Sequence, residues 1–158
     1  MTRLEPYEIR VLGQGDAQAM RRMLECFSEA FEDPDTYSAA QPDDDYLDAL
    51  LADRCFFAIA AVCADGVIGG LAGYELRKFE QARSELYIYD LAVDSGHRRR
   101  GVATALIEAA REIARNRGAW MLYVQADLGD DPAIALYSGL GTREDVLHFD
   151  IPPKRARS

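Results

Sequence analysis

Cysteine, histidine, long apolar runs and positive charge are what this sequence has least of. Cys26, Cys55 and Cys63 are its three cysteines, odd in number and unevenly spaced. They make neither a disulfide framework nor a zinc-ligand pattern, so a reducing, cytoplasmic setting is expected. The two histidines, His97 and His148, stand far apart. Isolated imidazoles make no metal pattern, and no metal is expected. No apolar run approaches the roughly 20 residues that cross a bilayer, and "MTRLEPYEIR" lacks the apolar core of a secretory signal. Neither a membrane partner nor export by that route is expected. Eighteen Lys and Arg face 27 Asp and Glu, for a net charge of −9. A nucleic-acid binder needs a basic face for phosphates, so that partner is not expected either. The acidic balance suits a cationic small substrate and equally serves solubility.

What is present is apolar enough to fold. Hydrophobic residues make up 49% of 158 positions, which suits one domain over residues 1–158 with a real core and a loose basic tail at 152–158. "YEIRVLG" (7–13) reads as a strand. Asp16 opens a helix through Phe31, with Met20, Met23, Leu24, Phe27 and Phe31 as its apolar stripe. A polar loop over 32–46 leads into a short helix that Asp43 to Asp45 open. "CFFAIAAVCADGVIGGLAGYEL" (55–76) reads as two strands around the hairpin signal Asp65-Gly66. "SELYIYDLAV" (84–93) is apolar on both faces, as a strand covered on two sides is. A helix follows over about 99–117, with Val102, Leu106, Ala109, Ala110 and Ile113 inward and Gly118 at its end. A strand at 119–126, a helix from Asp131-Pro132 and a last strand, "DVLHFDI" (145–151), complete the chain. The fold class is α/β, a mixed sheet with parallel pairing only in the second half.

Arg98, Arg99, Arg100 and Gly101 stand where a buried strand gives way to a helix. A helix N-terminus carries free N–H groups and a positive dipole end, and cations placed there oppose the dipole. An anion resolves the conflict. Gly101 and Ala103 keep the backbone approachable, so Gly101, Val102, Ala103 and Thr104 read as a phosphate cradle with the arginines at its rim.

The spacing Arg98-x-x-Gly101-x-Ala103 after "DLAV" resembles the acetyl-CoA signature Q/R-x-x-G-x-G/A of the GNAT N-acetyltransferase superfamily. "DDPAIALYSGLG" (130–141) is similar to the superfamily segment N-x-x-A-x-x-L-Y-x-x-x-G. Tyr137 and Ala133 fall on its tyrosine and alanine, and Asp130 stands where Asn is usual. "TYSAAQPDDDYL", "KFEQARSELYIYDLAV", "HRRRGVATALI", "YVQADLGDDPAIALY" and "LHFDI" together resemble the type I aminoglycoside 3-N-acetyltransferases over about residues 36–151. The resemblance implies a mostly antiparallel sheet with helices on both faces and splayed central strands. It implies acetyl-CoA as donor and transfer to the 3-amino group of a gentamicin-type aminoglycoside, hence antibiotic resistance. A homodimer is compatible with it, and its interface is not legible in the sequence.

The implied chemistry needs a base, because an ammonium cannot attack a thioester. Asp90 interrupts an apolar strand, where a carboxylate is costly unless paired or used. By strict alternation it shares a side with Leu86, Ile88 and Ala92, although a bulge would change that. Glu85 is the second candidate, and water could relay either one. The resemblance makes Tyr137 the acid that protonates the departing thiolate, against a plain packing role beside Ala133, Leu136 and Leu140. It sets Leu91, Ala92 and Val93 along the pantetheine, and Asp130 and Ala133 at the cofactor. The substrate candidates are Asp35, Asp127, Asp131 and His148, in two acidic clusters that the family fold brings near one cleft. Asp131 and Asp43 equally suit helix caps. Trp120, Tyr87, Tyr89 and Tyr123 read as strand core, and no cysteine has a neighbouring base in sequence for an acyl-enzyme. Two rivals remain: a GNAT enzyme for another amine, such as a polyamine or a protein N-terminus, and a non-catalytic acetyl-CoA-binding module.

Overall fold

Glu8–Val11 (β1), Phe56–Cys63 (β2), Gly66–Arg77 (β3), Ser84–Val93 (β4) and Met121–Val124 (β5) form one sheet in that order. They are seen in a computed structural model that describes residues 5–154. The first three pairings are antiparallel and β4–β5 is parallel. The helices are Ala17–Phe31 (α1), Pro34–Tyr37 (α2), Asp44–Ala52 (α3), Val102–Arg117 (α4) and Asp131–Ser138 (α5). One compact unit runs through Gln125 and a second begins at Ala126.

β2 is buried along six consecutive residues, as a strand covered on both faces must be. Ala58 and Ala60 face a cluster with Met20, Met23 and Phe27 of α1 and Leu47 of α3. Burying each large side chain there contributes about 1.5–3 kcal/mol. α4 turns Val102, Leu106, Ile107, Ala110 and Ala114 inward, so Ile107 and Ala114 lie deeper than the expected Ala109 and Ile113. Gly118 closes α4 in the left-handed region at φ 69°.

Four expectations need correction. Residues 145–151 pair with no strand among the described residues; their backbone is irregular, and Leu147 and Ile151 are 83% and 87% exposed. Alternation specifies two faces, but a strand also needs a partner edge. The polar loop after α1 contains the extra helix α2, because Asp33 accepts a hydrogen bond from the Thr36 N–H and Pro34 pre-sets the first turn. Asp16 makes no side-chain cap on α1; it accepts instead from the Gly13 N–H and pairs with Arg10. α5 is capped by Asp130, whose carboxylate accepts from the Ala133 N–H, and Asp131 is its first helical residue. The tail residues 155–158 lie outside the described residues.

Candidate active site

β3 and β4 lose register between Ala72 and Gly73. Gly73 faces Ile88 and Ala72 faces Asp90, which leaves Tyr89 as the extra residue of a bulge. A Cβ at Gly73 would collide with the Tyr87 carbonyl oxygen and the Phe57 ring, so glycine is what admits the crowding here. The bulge reverses the parity of the strand. Leu86 and Ile88 keep one face, while Asp90 and Ala92 turn to the face covered by α1, where Ala92 joins the core cluster. Strict alternation therefore misplaces Asp90 by one face.

On that face Asp90 meets a residue that sequence reasoning missed. The Tyr37 hydroxyl, at the end of α2, donates to Asp90 Oδ2 at 3.0 Å. Its ring packs against Phe27 and Phe31 of α1, with centroids 5.9 and 5.5 Å away. Burial lifts the Asp90 carboxyl above its ordinary range, and the Tyr37 hydrogen bond pulls it partway back. The Tyr37 phenol is itself pushed up, first by burial and then by the Asp90 charge. It therefore stays a donor at neutral pH.

Of the tyrosines expected in the strand core, Tyr89 is exposed while Tyr87 and Tyr123 are half-buried. Tyr89 is 61% exposed. It meets Tyr74 and Tyr87 edge-on at 5.8 Å, and Tyr87 stacks on Tyr123 at 4.7 Å. Trp120 is half-exposed beneath the Arg83 guanidinium. The bulge goes with the exposure of Tyr89, since the extra residue of a bulge has no residue opposite it on β3. Aromatic faces beside a carboxylate suit an ammonium group.

β4 and β5 pair only from Glu85↔Met121 to Ile88↔Val124. Beyond that point Leu91, Ala92 and Val93 pair, among the described residues, with β3 alone, so their other edge suits a ligand that can hydrogen-bond as a strand. The chain then makes a single 3-10 turn, Ser95–His97, and enters α4 through Gly101 at φ 77°. The N–H groups at the start of α4 have no partner within the helix; its first closing bond runs from the Ala105 N–H to the Gly101 carbonyl. Arg98 Nε donates to the Val93 carbonyl at 3.2 Å, and Arg100 Nη2 to the Glu5 carbonyl at 3.4 Å. Two of the three arginines thus brace the turn against its flanks. Arg99 takes a left-handed φ of 60°, which costs a non-glycine residue about 1 kcal/mol. The open edge and the free N–H groups together fit a pantetheine pyrophosphate.

The other candidates are placed less tightly. Glu85 sits at the start of β4, several residues from Asp90, paired with Lys78 at 3.5 Å and accepting from Trp120 Nε1 at 3.2 Å. Both partners compete with a role as base. Asp35 is an exposed residue of the first turn of α2. In the second unit Asp127, Asp130 and Asp131 are exposed, while Ala133 and Tyr137 are half-buried on α5. The Tyr137 phenol is pushed up by burial and then by Asp130. His148 bonds the exposed Asp150 at 2.9 Å and is itself exposed.

The acetyltransferase (GNAT) family pattern matches residues 18–142. Among solved structures, an aminoglycoside acetyltransferase from an uncultured soil metagenomic sample is 50% identical, with a TM-score of 0.92, over 94% of this chain and 99% of that one. A second metagenomic aminoglycoside acetyltransferase, solved in complex with sisomicin, is 29% identical with a TM-score of 0.85, over 94% and 97%. Among curated proteins, streptothricin acetyltransferase of Streptomyces lavendulae is 35% identical over 49% of this chain and 41% of its own length. N-acetyltransferase 8B of Rattus norvegicus is 27% identical over 66% of this chain and 47% of its own. The chain thus spans less than half the length of these two curated relatives.

Proposed function

The chain belongs to the acetyltransferase (GNAT) family, and from that premise we propose that it transfers acetyl from acetyl-CoA to the 3-amino group of a gentamicin-type aminoglycoside. The observation that carries the reading is Asp90: a carboxylate with a raised pKa, held by Tyr37 and edged by exposed tyrosine rings. It stands one residue before the open edge of β4. The acidic balance of the chain and the metagenomic relatives, one of them solved with sisomicin, support a polycationic drug as acceptor.

When bound, acetyl-CoA supplies the acetyl group as a thioester. The α4 N-terminus and Arg98 to Arg100 hold its pyrophosphate, and the N–H groups along Leu91–Val93 hold the pantetheine arm and polarise the carbonyl. Asp90 orients the substrate ammonium and, directly or through water, accepts the proton it must lose. As the C–N bond formed and the C–S bond broke, Tyr137 would give its phenolic proton to the sulfur, the nitrogen would release its second proton to solvent, and solvent would reset Asp90 and Tyr137. The whole chain acts as one catalytic domain in the cytoplasm, and resistance is the biological outcome.

The test is free-thiol release from acetyl-CoA by the purified protein, with gentamicin, with spermidine and without amine, followed by NMR of the product. Fast release with gentamicin and acetylation at the 3-amino group is the expected result. Release with spermidine alone would move the enzyme to polyamines. Cofactor binding without any release would make it a binding module.

A further inference from the structure

We infer that Glu5, Cys63 and His97 form a binding site for one zinc-class divalent ion. The Glu5 carboxylate, the Cys63 thiol and a ring nitrogen of His97 each offer one ligand atom, and the three atoms lie within 4.8 Å of one another. They come from distant parts of the sequence, and the sheet assembles them. β1 lies against β2 with Glu8 opposite Val62, which brings the residues before β1 alongside the end of β2, where Cys63 faces Gly66. The Asp94 N–H donates to the Ile68 carbonyl at 2.8 Å, which holds the turn carrying His97 beside β3.

The donors are a thiolate, an imidazole and a carboxylate. That set selects zinc or cobalt over magnesium and calcium, which prefer oxygen alone. Ligands of a tetrahedral zinc ion lie about 3.5 Å apart, so small side-chain adjustments within the cluster close it. A fourth position is left for water. His97 is already oriented: its Nδ1 lies 2.7 Å from Asp94 Oδ2, which leaves Nε2 for a ligand. A carboxylate behind a metal-binding histidine is the usual outer partner of such sites. Asp94 is itself fixed by the Gly96 N–H at 3.0 Å. The cluster also flanks the arginine turn. His97 directly precedes Arg98, and Arg100 donates to the Glu5 carbonyl, so an ion here ties together both sides of the segment that leads into α4.

The test is titration of chelator-treated protein with Co²⁺. One equivalent should produce a thiolate-to-cobalt charge-transfer band that one equivalent of Zn²⁺ removes. Cys63→Ser should abolish the band, and Cys55→Ser, which changes an exposed cysteine elsewhere, should leave it intact. Asp94→Asn should keep the band but weaken zinc about tenfold or more. Alkylation of Cys63 by iodoacetamide, read by mass spectrometry on the unaltered chain, should slow when zinc is added. An absent band, a band that survives Cys63→Ser, or the same alkylation rate with and without zinc would each overturn the site. None of these readouts depends on acetyl transfer.

Discussion

Asp90 and Asp127 carry the same side chain in two physically different regions. Asp90 lies inside the unit that ends at Gln125. A bulge sets its direction, α1 covers its face, and a phenol is fixed on one of its oxygens. Asp127 lies in the segment from Ala126 onward and is exposed. A carboxylate in the first setting is costly to charge, so it holds a proton more readily than a free carboxylate does. A carboxylate in the second acts through its field, which salt screens. Tyr137 stands between these limits as a half-buried phenol on a short helix.

Asp90→Asn breaks the comparison most sharply. It leaves the shape and removes the proton acceptor, so kcat/KM should fall about 10²–10⁴-fold. Stability should move the other way. The folded pKa of Asp90 is raised, so the native state favours the protonated form. The stability linked to this group is present below the ordinary carboxylate range and is lost as pH rises through the raised value. The Asn variant should therefore gain on the wild type in melting temperature as pH rises. Wild-type kinetics in the variant would make Asp90 dispensable. Tyr137→Phe should come next, with kcat lower by about 10²-fold, at the low end for proton transfer because a thiolate is a fair leaving group, and with acetyl-CoA affinity unchanged. Unaltered turnover would remove its role as acid.

Gly101→Val sharpens the comparison from the cofactor side. Its φ of 77° is left-handed, and a β-branched residue there costs about 1–2 kcal/mol. A valine turn escapes that strain by leaving the left-handed region in the free protein, and binding must restore it, so acetyl-CoA affinity should fall about tenfold by calorimetry, before any shielding of the neighbouring N–H groups. Retained affinity would put the cradle elsewhere. Tyr37→Phe should act more gently. The Tyr37 hydrogen bond lowers the Asp90 pKa against the effect of burial, so its loss should move the acidic limb of the kcat/KM profile to higher pH. The rate on the alkaline plateau should hardly change. An unmoved limb would show that Tyr37 only packs.

How much of this was legible depends on what each feature needs. β4 is apolar on both faces and Asp90 is the one charge in its interior, so strand and candidate could both be read locally. The face of Asp90 could not, because the bulge depends on β3 having no side chain at Gly73. Tyr37 was hidden in a polar loop, since a four-residue helix capped by Asp33 carries almost no periodicity. The Arg98–Gly101 turn was legible as an electrostatic conflict at a helix start. That Arg98 and Arg100 also reach the carbonyls of Val93 and Glu5 is tertiary information. Residues 145–151 alternate like a strand and form none, because alternation does not name a partner. Glu5, Cys63 and His97 have no motif spacing at all; the register of β1 with β2 and the bond from the Asp94 N–H to the Ile68 carbonyl bring them together.

The smallest effect separates field from contact. Asp127→Asn removes an exposed charge, and such charges contribute about 0.2–1 kcal/mol to a partner. The KM for gentamicin should rise no more than about fivefold. The rise should shrink as ionic strength climbs past about 0.15 M, where the Debye length is about 8 Å. The defect of Asp90→Asn should persist unchanged over the same range, because a proton acceptor within bonding distance of the amine is not screened. A salt-insensitive defect at Asp127 would instead mean a direct hydrogen bond to the drug. It would then join Asp90 as a contact residue, and the second unit would contribute more than charge to substrate recognition.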